Sequence, residues 1–263
     1  MDTKSKFIVS ADWTKEEVLA VAKSGVLPKG IIFKLDRAFF EQYPDKSIIS
    51  TLQEMGYAVF VDAKISEVPA KVLKILDTYV DYRPFMINVM AGGALSTGKS
   101  SDSNINKVDC LKRFAERCEM YGIRSCAVTV LTSKAPDLVE SEFCSRTPLQ
   151  QVLWYVNKAY EYGITDIVCS PLECQEIRSH KEYDNLCLNT PGVRMLGTDV
   201  RDQARVTTPA QAIKLGANRI VVGSNLLEGE GDIVDRVGMN FEKIRGHIIE
   251  EAGVDVVDGI TCT

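Results

Sequence analysis

The chain has 263 residues, 45% of them hydrophobic and 25% charged, with a formal net charge of −5. That composition suits a globular protein with a full core, and an acidic balance without a basic block argues against duplex nucleic acid as a partner. No apolar run approaches the ~18 residues needed to cross a membrane, and the opening Met1-Asp2-Thr3-Lys4-Ser5-Lys6 leads straight into a short strand, which is not how a signal peptide reads.

In chain order, Phe7 to Ala11 is the first expected strand, ending at Asp12. Thr14 to Ser24 has helical spacing, with Thr14 as N-cap and Glu17 three residues on. Gly30 to Phe33 is the second strand, ending at Lys34, and a helix over Ser47 to Met55 is closed by Gly56. The third strand is Tyr57 to Asp62, and Pro69 opens the helix that follows it. Phe85 to Val89 is the fourth strand. The polar stretch Ser96 to Asp109 reads as an excursion before a helix over Cys110 to Tyr121. Ser125 to Leu131, Asp166 to Cys169, Leu186 to Thr190 and Arg219 to Val222 are the remaining strands. Between them lie helices over Pro148 to Tyr162, Leu172 to His180 and Pro209 to Leu215, and a last one spans Gly238 to Glu251. The long segment Pro191 to Thr208 has the length of a functional loop.

Strands alternating with helices imply a parallel sheet. Eight repeats in this length imply one (β/α)8 barrel domain over residues 1–263, with 254–263 as a loose tail. An open doubly wound sheet is the alternative, but no Gly-x-Gly-x-x-Gly follows the first strand. The eight cysteines are scattered without a Cys-x-x-Cys pair, and several stand in apolar runs. They read as reduced thiols of a cytoplasmic protein, neither disulfides nor zinc ligands. The two histidines, His180 and His247, lie in polar helical settings, so no metal site is expected.

The chemistry is concentrated in Tyr57 to Val68. A buried apolar run, Ala58-Val59-Phe60-Val61, gives way to Asp62, Lys64 and Glu67. Residues two apart share a face of a strand, so Asp62 and Lys64 point the same way. Desolvating each ion costs several kcal/mol, roughly, before pairing. A structural ion pair is the bland explanation of such a pair and a proton-transfer site the sharper one. In a (β/α)8 barrel the site lies at the strands' C-terminal ends. Asp12, Lys34, Asp62 and Lys64 all fall there, on three consecutive strands. Such a set supplies a field fixed before a substrate arrives and an ammonium proton for a carbanion, but no activated nucleophile.

These residues resemble the orotidine 5′-monophosphate decarboxylase family. The likeness runs from Phe7 to about Asp232. It rests on Asp12, on Phe33-Lys34, and on Asp62-Ala63-Lys64-Ile65-Ser66-Glu67-Val68-Pro69 against the family's Asp-x-Lys-x-x-Asp-Ile-Pro. It rests also on Thr190-Pro191-Gly192-Val193-Arg194 leading to Asp202-Gln203-Ala204-Arg205-Val206-Thr207-Thr208-Pro209, and on Ala217 to Gly223. The resemblance implies a ribulose-phosphate-binding type of barrel that forms a homodimer with shared sites, acts on a nucleotide and uses no cofactor or metal. Position by position it implies that Lys64 protonates C6 of the pyrimidine and Asp62 faces the substrate carboxylate. Asp12 and Lys34 would bind ribose hydroxyls and belong to the charged network, with Lys34 counted among the catalytic residues. Glu67 would reach the partner's site, and Thr132 or Ser133 would bond the pyrimidine. Gly223 and Ser224 would lie at the phosphate, Gln203 would close over it, and Pro191 would contact the substrate.

Two positions depart from the family pattern: Glu67 replaces aspartate, and Ser224 replaces the arginine that grips phosphate. Lys71 stands where the family often has threonine, and Lys71 or Arg194 is expected to restore positive charge. Two other readings follow from the same residues. One is a non-catalytic or weakly active nucleotide-binding relative, suggested by Glu67 and Ser224. The other is a sugar-phosphate enzyme of the same superfamily. That class typically has a magnesium-binding glutamate at the end of the second strand, where this chain has Lys34. An ammonium cannot ligate a hard cation.

Overall fold

Eight parallel strands, hydrogen-bonded in chain order, close into a barrel in which β1 pairs with both β2 and β8. The computed structural model describes residues 5–94, 110–143, 145–195 and 207–257. The expected excursion over 96–109, Gln203 and positions 258–263 lie outside the described residues. The strands are β1 Phe7–Ser10, β2 Ile32–Asp36, β3 Ala58–Ile65, β4 Met86–Met90, β5 Arg124–Val128, β6 Asp166–Val168, β7 Cys187–Thr190 and β8 Arg219–Val222.

Both faces of each strand are buried, which is why the strands read as apolar runs rather than as alternating ones. Ile8, Ile32, Phe60, Met86, Cys126 and Val221 fill the barrel interior. Their sequence neighbours Val9, Phe33, Val59, Val61 and Ile87 point outward into the larger core beneath the helices. Because facing repeats every second residue, Ser10, Lys34, Asp62 and Asn88 form the next interior layer toward the strands' C-terminal ends. The opposite end is polar too: Arg124 Nε and Arg219 Nη1 each lie 2.8 Å from a carboxylate oxygen of the buried Asp166.

Several boundaries differ from expectation. β2 runs past Lys34 to Asp36, and β3 runs through Lys64 to Ile65. Ion pairing inside the barrel lets these strands continue where their apolar runs stop. Two short helices, Arg37–Gln42 and Pro136–Glu142, were not expected. The first is fixed by a cap: the Asp36 carboxylate accepts the Phe39 N–H at 2.8 Å. The last helix begins at Ile233 on an Asp232 cap, five residues before Gly238. Gly238 and Gly246 dilute its helical signal. Gly238 is there for contact, because a Cβ at that position would meet Val26 Cβ at 3.0 Å. The Thr14–Glu17 capping box forms as expected.

Of the tail, the stretch 254–257 is tied down: the Lys6 N–H donates to the Val256 carbonyl at 2.8 Å, and Val256 is buried. Cys110, Cys118, Cys126, Cys169 and Cys174 are free and buried. Cys187 is disulfide-bonded, which corrects the expectation of uniformly reduced thiols; scattered spacing carries no information on pairing. No helix among the described residues is long and apolar enough to cross a membrane.

Candidate active site

Three strands deliver the ionic layer to one point. The Asp62 carboxylate stands at its centre. Its Oδ2 accepts from Lys34 Nζ at 2.8 Å, across the β2–β3 pairing, and from Lys64 Nζ at 2.6 Å on its own strand. Its Oδ1 accepts from Asn88 Nδ2 of β4 at 2.6 Å. Asp12, just beyond β1, lies 3.8 Å from Lys34 Nζ and accepts from Ser10 Oγ at 3.1 Å. Charge therefore alternates along Asp12, Lys34, Asp62 and Lys64, as their strand positions imply.

Exposure is graded along this chain of ions. The Asp62 side chain is 6% exposed, that of Lys34 11%, and that of Lys64 45%. Burial alone would push the Asp62 carboxyl up, but the ammonium groups of Lys34 and Lys64 and their hydrogen bonds outweigh it and hold the group at about 2. Burial likewise pushes Lys34 down. The carboxylates of Asp62 and Asp12 overcome that penalty, and the net direction for Lys34 is up. Both groups stay ionised inside the barrel because each is the other's solvent.

The layer floors a cavity of about 520 Å³ at the C-terminal end of the barrel. Asp12, Lys34, Asp62 and Lys64 line it on one side. Thr132 and Ser133 after β5, Pro191 after β7, and Gly223 and Ser224 after β8 complete the wall. Gly223 is needed for close approach, since a Cβ there would stand 3.0 Å from Ser10 Cβ. Arg194 also lines the cavity, with Nη1 donating to the Val193 carbonyl at 2.9 Å.

Glu67 and Lys71 are not brought into this cavity. They face each other at 3.8 Å as an i,i+4 pair around the start of helix Pro69–Asp77, with both side chains well exposed. Glu67 lines instead a smaller cavity of about 230 Å³, together with Arg37, Phe40 and Tyr79. Gln203 lies outside the described residues. The residue that sequence reasoning missed is Asn88. Its signal was a polar side chain at an interior position of a buried strand, two residues after Met86.

The fold and this layer define a (β/α)8 barrel with a preorganised ionic site at the mouth of the strands. Residues 5–234 match the "Orotidine 5′-phosphate decarboxylase / HUMPS family". Among curated proteins, the orotidine 5′-phosphate decarboxylase of Wigglesworthia glossinidia brevipalpis is 34% identical over 67% of this chain and 71% of its own length. That of Pseudoalteromonas translucida is 25% identical over 91% of this chain and 97% of its own. Among solved structures, the orotidine 5′-phosphate decarboxylase of Lactobacillus acidophilus superposes with a TM-score of 0.68 at 23% identity, covering 93% of this chain and 99% of that one. At that identity the superposition speaks to the fold. The chain belongs to the orotidine 5′-phosphate decarboxylase / HUMPS family.

Proposed function

We propose that this protein decarboxylates orotidine 5′-monophosphate to uridine 5′-monophosphate, the closing step of de novo pyrimidine nucleotide synthesis. The observation that carries the proposal is the Asp62 carboxylate, buried and ionised, with the half-exposed Lys64 amine 2.6 Å from it at the cavity. With the substrate carboxylate seated beside Asp62, two negative charges oppose each other. Loss of carbon dioxide relieves that opposition. The C6–carboxylate bond breaks, its electron pair stays on C6, and the proton on Lys64 Nζ moves to that carbon. The amine left behind is reprotonated by solvent. A fixed ammonium at C6 interacts more strongly with the forming carbanion than with the substrate, and only such help raises the chemical rate.

The other wall residues serve binding. Asp12 and Lys34 are suited to the ribose hydroxyls, and Thr132 or Ser133 to the pyrimidine edge. Pro191, Arg194, Gly223 and Ser224 would enclose the phosphate, with Gln203 closing over it. Arg194 is assigned the compensating charge in place of Lys71, because Arg194 lines the cavity and Lys71 does not. We further propose a homodimer in which Glu67 serves the partner's site; its exposure at the rim of its own barrel supports that. No metal or cofactor takes part in this scheme, and the position where metal-using relatives hold a glutamate is filled by Lys34. We place the protein in the cytoplasm on the five buried free thiols among the described residues.

Ser224 and Glu67 favour a second reading, a nucleotide-binding relative without turnover. Carbon dioxide release from the nucleotide in the presence of a chelator separates the two. Release supports the decarboxylase, whereas tight product binding with no release supports the second reading.

A further inference from the structure

The β3–β4 pairing is broken where the ionic residues stand. Val61 pairs with Ile87 and the next pair is Ile65 with Val89, so Asp62, Ala63 and Lys64 together oppose the single residue Asn88. The bulge turns Lys64 into the left-handed region, at φ 42°, where a Cβ is disfavoured. Something must hold that backbone. The Lys64 N–H donates to Asn88 Oδ1 at 2.6 Å, and Asn88 Nδ2 donates to Asp62 Oδ1 at 2.6 Å. Asn88 is 1% exposed. Its two neighbours fix which way the amide faces, because one is a donor only and the other an acceptor only.

We propose that Asn88 is a positioning residue: one planar amide ties the Lys64 backbone to the Asp62 carboxylate and so sets where Lys64 Nζ presents its proton. The proposal rests on the decarboxylase reading of the site. Few other side chains would serve. An apolar residue would leave the Lys64 N–H and Asp62 Oδ1 without this partner in a buried place, and a carboxylate would oppose Asp62.

The ionisable groups around this amide, among the described residues, come from β1 to β5 and from the polar end of the barrel. Lys34 faces Asp62 from β2 and Lys64 faces it from β3, with Asp12 behind Lys34. From β5, Cys126 stands opposite Asn88, and burial pushes its thiol far up. Asp166, Arg219 and Arg124 act on Cys126 as well.

The test compares wild type, Asn88→Ala and Asn88→Asp, reading kcat and KM for orotidine 5′-monophosphate across pH, together with hydrogen exchange at the Lys64 amide. In Asn88→Ala, kcat should fall about 100-fold, the loss that a misplacement of about 1 Å brings, with KM little changed. In Asn88→Asp two carboxylates share one proton, and the protonated form donates where the amide did. Its kcat should therefore be nearest wild type at the acid end and fall as pH rises, through a limb that wild type lacks. The Lys64 amide should exchange faster in Asn88→Ala while Val59 and Val61 keep their protection.

A kcat for Asn88→Ala within about twofold of wild type, an Asn88→Asp profile shaped like wild type, or an unchanged Lys64 exchange rate each overturns the proposal. If Asn88→Ala does not fold, the Asn88→Asp profile decides. If wild type releases no carbon dioxide, the decarboxylase reading falls by itself, and the exchange measurement still decides whether Asn88 holds Lys64.

Discussion

Lys64 Nζ lies 2.6 Å from Asp62 Oδ2, the oxygen that also accepts Lys34 Nζ at 2.8 Å. The two partners differ in their surroundings: the Asp62 side chain is almost wholly buried, and the Lys64 side chain reaches into the cavity. An ammonium so placed is tethered by a charge it cannot leave, yet open toward a substrate. Each consequence can be measured.

Removing the amine should remove the chemistry and spare the binding. For Lys64→Ala, carbon dioxide release should fall by about 10²–10⁴, the range for loss of a positioned proton donor. Affinity for uridine 5′-monophosphate, measured by calorimetry, should stay near wild type.

Acid should weaken the fold through Asp62. Its native value of about 2 lies below the ordinary 3.8, so its contribution is complete above pH ~4 and is lost as pH falls through ~2. The shift is worth about 2 kcal/mol. In denaturant melts, Asp62→Asn should cost most near neutrality, and its deficit against wild type should shrink by about that amount near pH 2. Lys34 has the opposite sign. Its raised value makes its contribution complete below the ordinary lysine range and lost only as pH climbs through that raised value.

The proposed phosphate end of the cavity should respond to charge. Ser224→Arg adds a charge-assisted fork worth roughly 1.5–3 kcal/mol and should tighten nucleotide binding at least about tenfold. Arg194→Ala should weaken it, and Lys71→Ala should leave it unchanged. Unchanged affinity in Arg194→Ala would remove that residue from the phosphate site.

The proposed homodimer makes a further prediction. Lys64→Ala and Glu67→Gln should each be impaired alone. When the two are mixed and allowed to exchange subunits, each hybrid dimer has one site carrying neither defect, so activity should return. No recovery on mixing, with exchange verified, would place Glu67 in its own protomer's chemistry or in none.

The barrel was legible because most strands are short apolar runs and several helices carry start and stop signals, as with Thr14 and Glu17 at one end of the first helix and Gly25 at the other. Asp12, Lys34, Asp62 and Lys64 were legible because charge is conspicuous at the end of such runs. Asn88 was not, since a neutral amide in a strand has no ionic signature and its role depends on a bulge that no residue of β3 announces. The roles of Glu67 and Lys71 came from comparison with the family pattern, and within one protomer neither lines the cavity. The Cys187 disulfide left no mark in the spacing either, because pairing is a property of the folded chain.

The most direct test of the Lys64–Asp62 site uses orotidine 5′-monophosphate labelled in its carboxyl group, incubated with purified protein in D2O and chelator. Labelled carbon dioxide should be released, with one deuterium at C6 of each product molecule, and both should be nearly abolished in Lys64→Ala. Nucleotide binding with no release, or release at an equal rate from Lys64→Ala, would contradict the proposed role of that site.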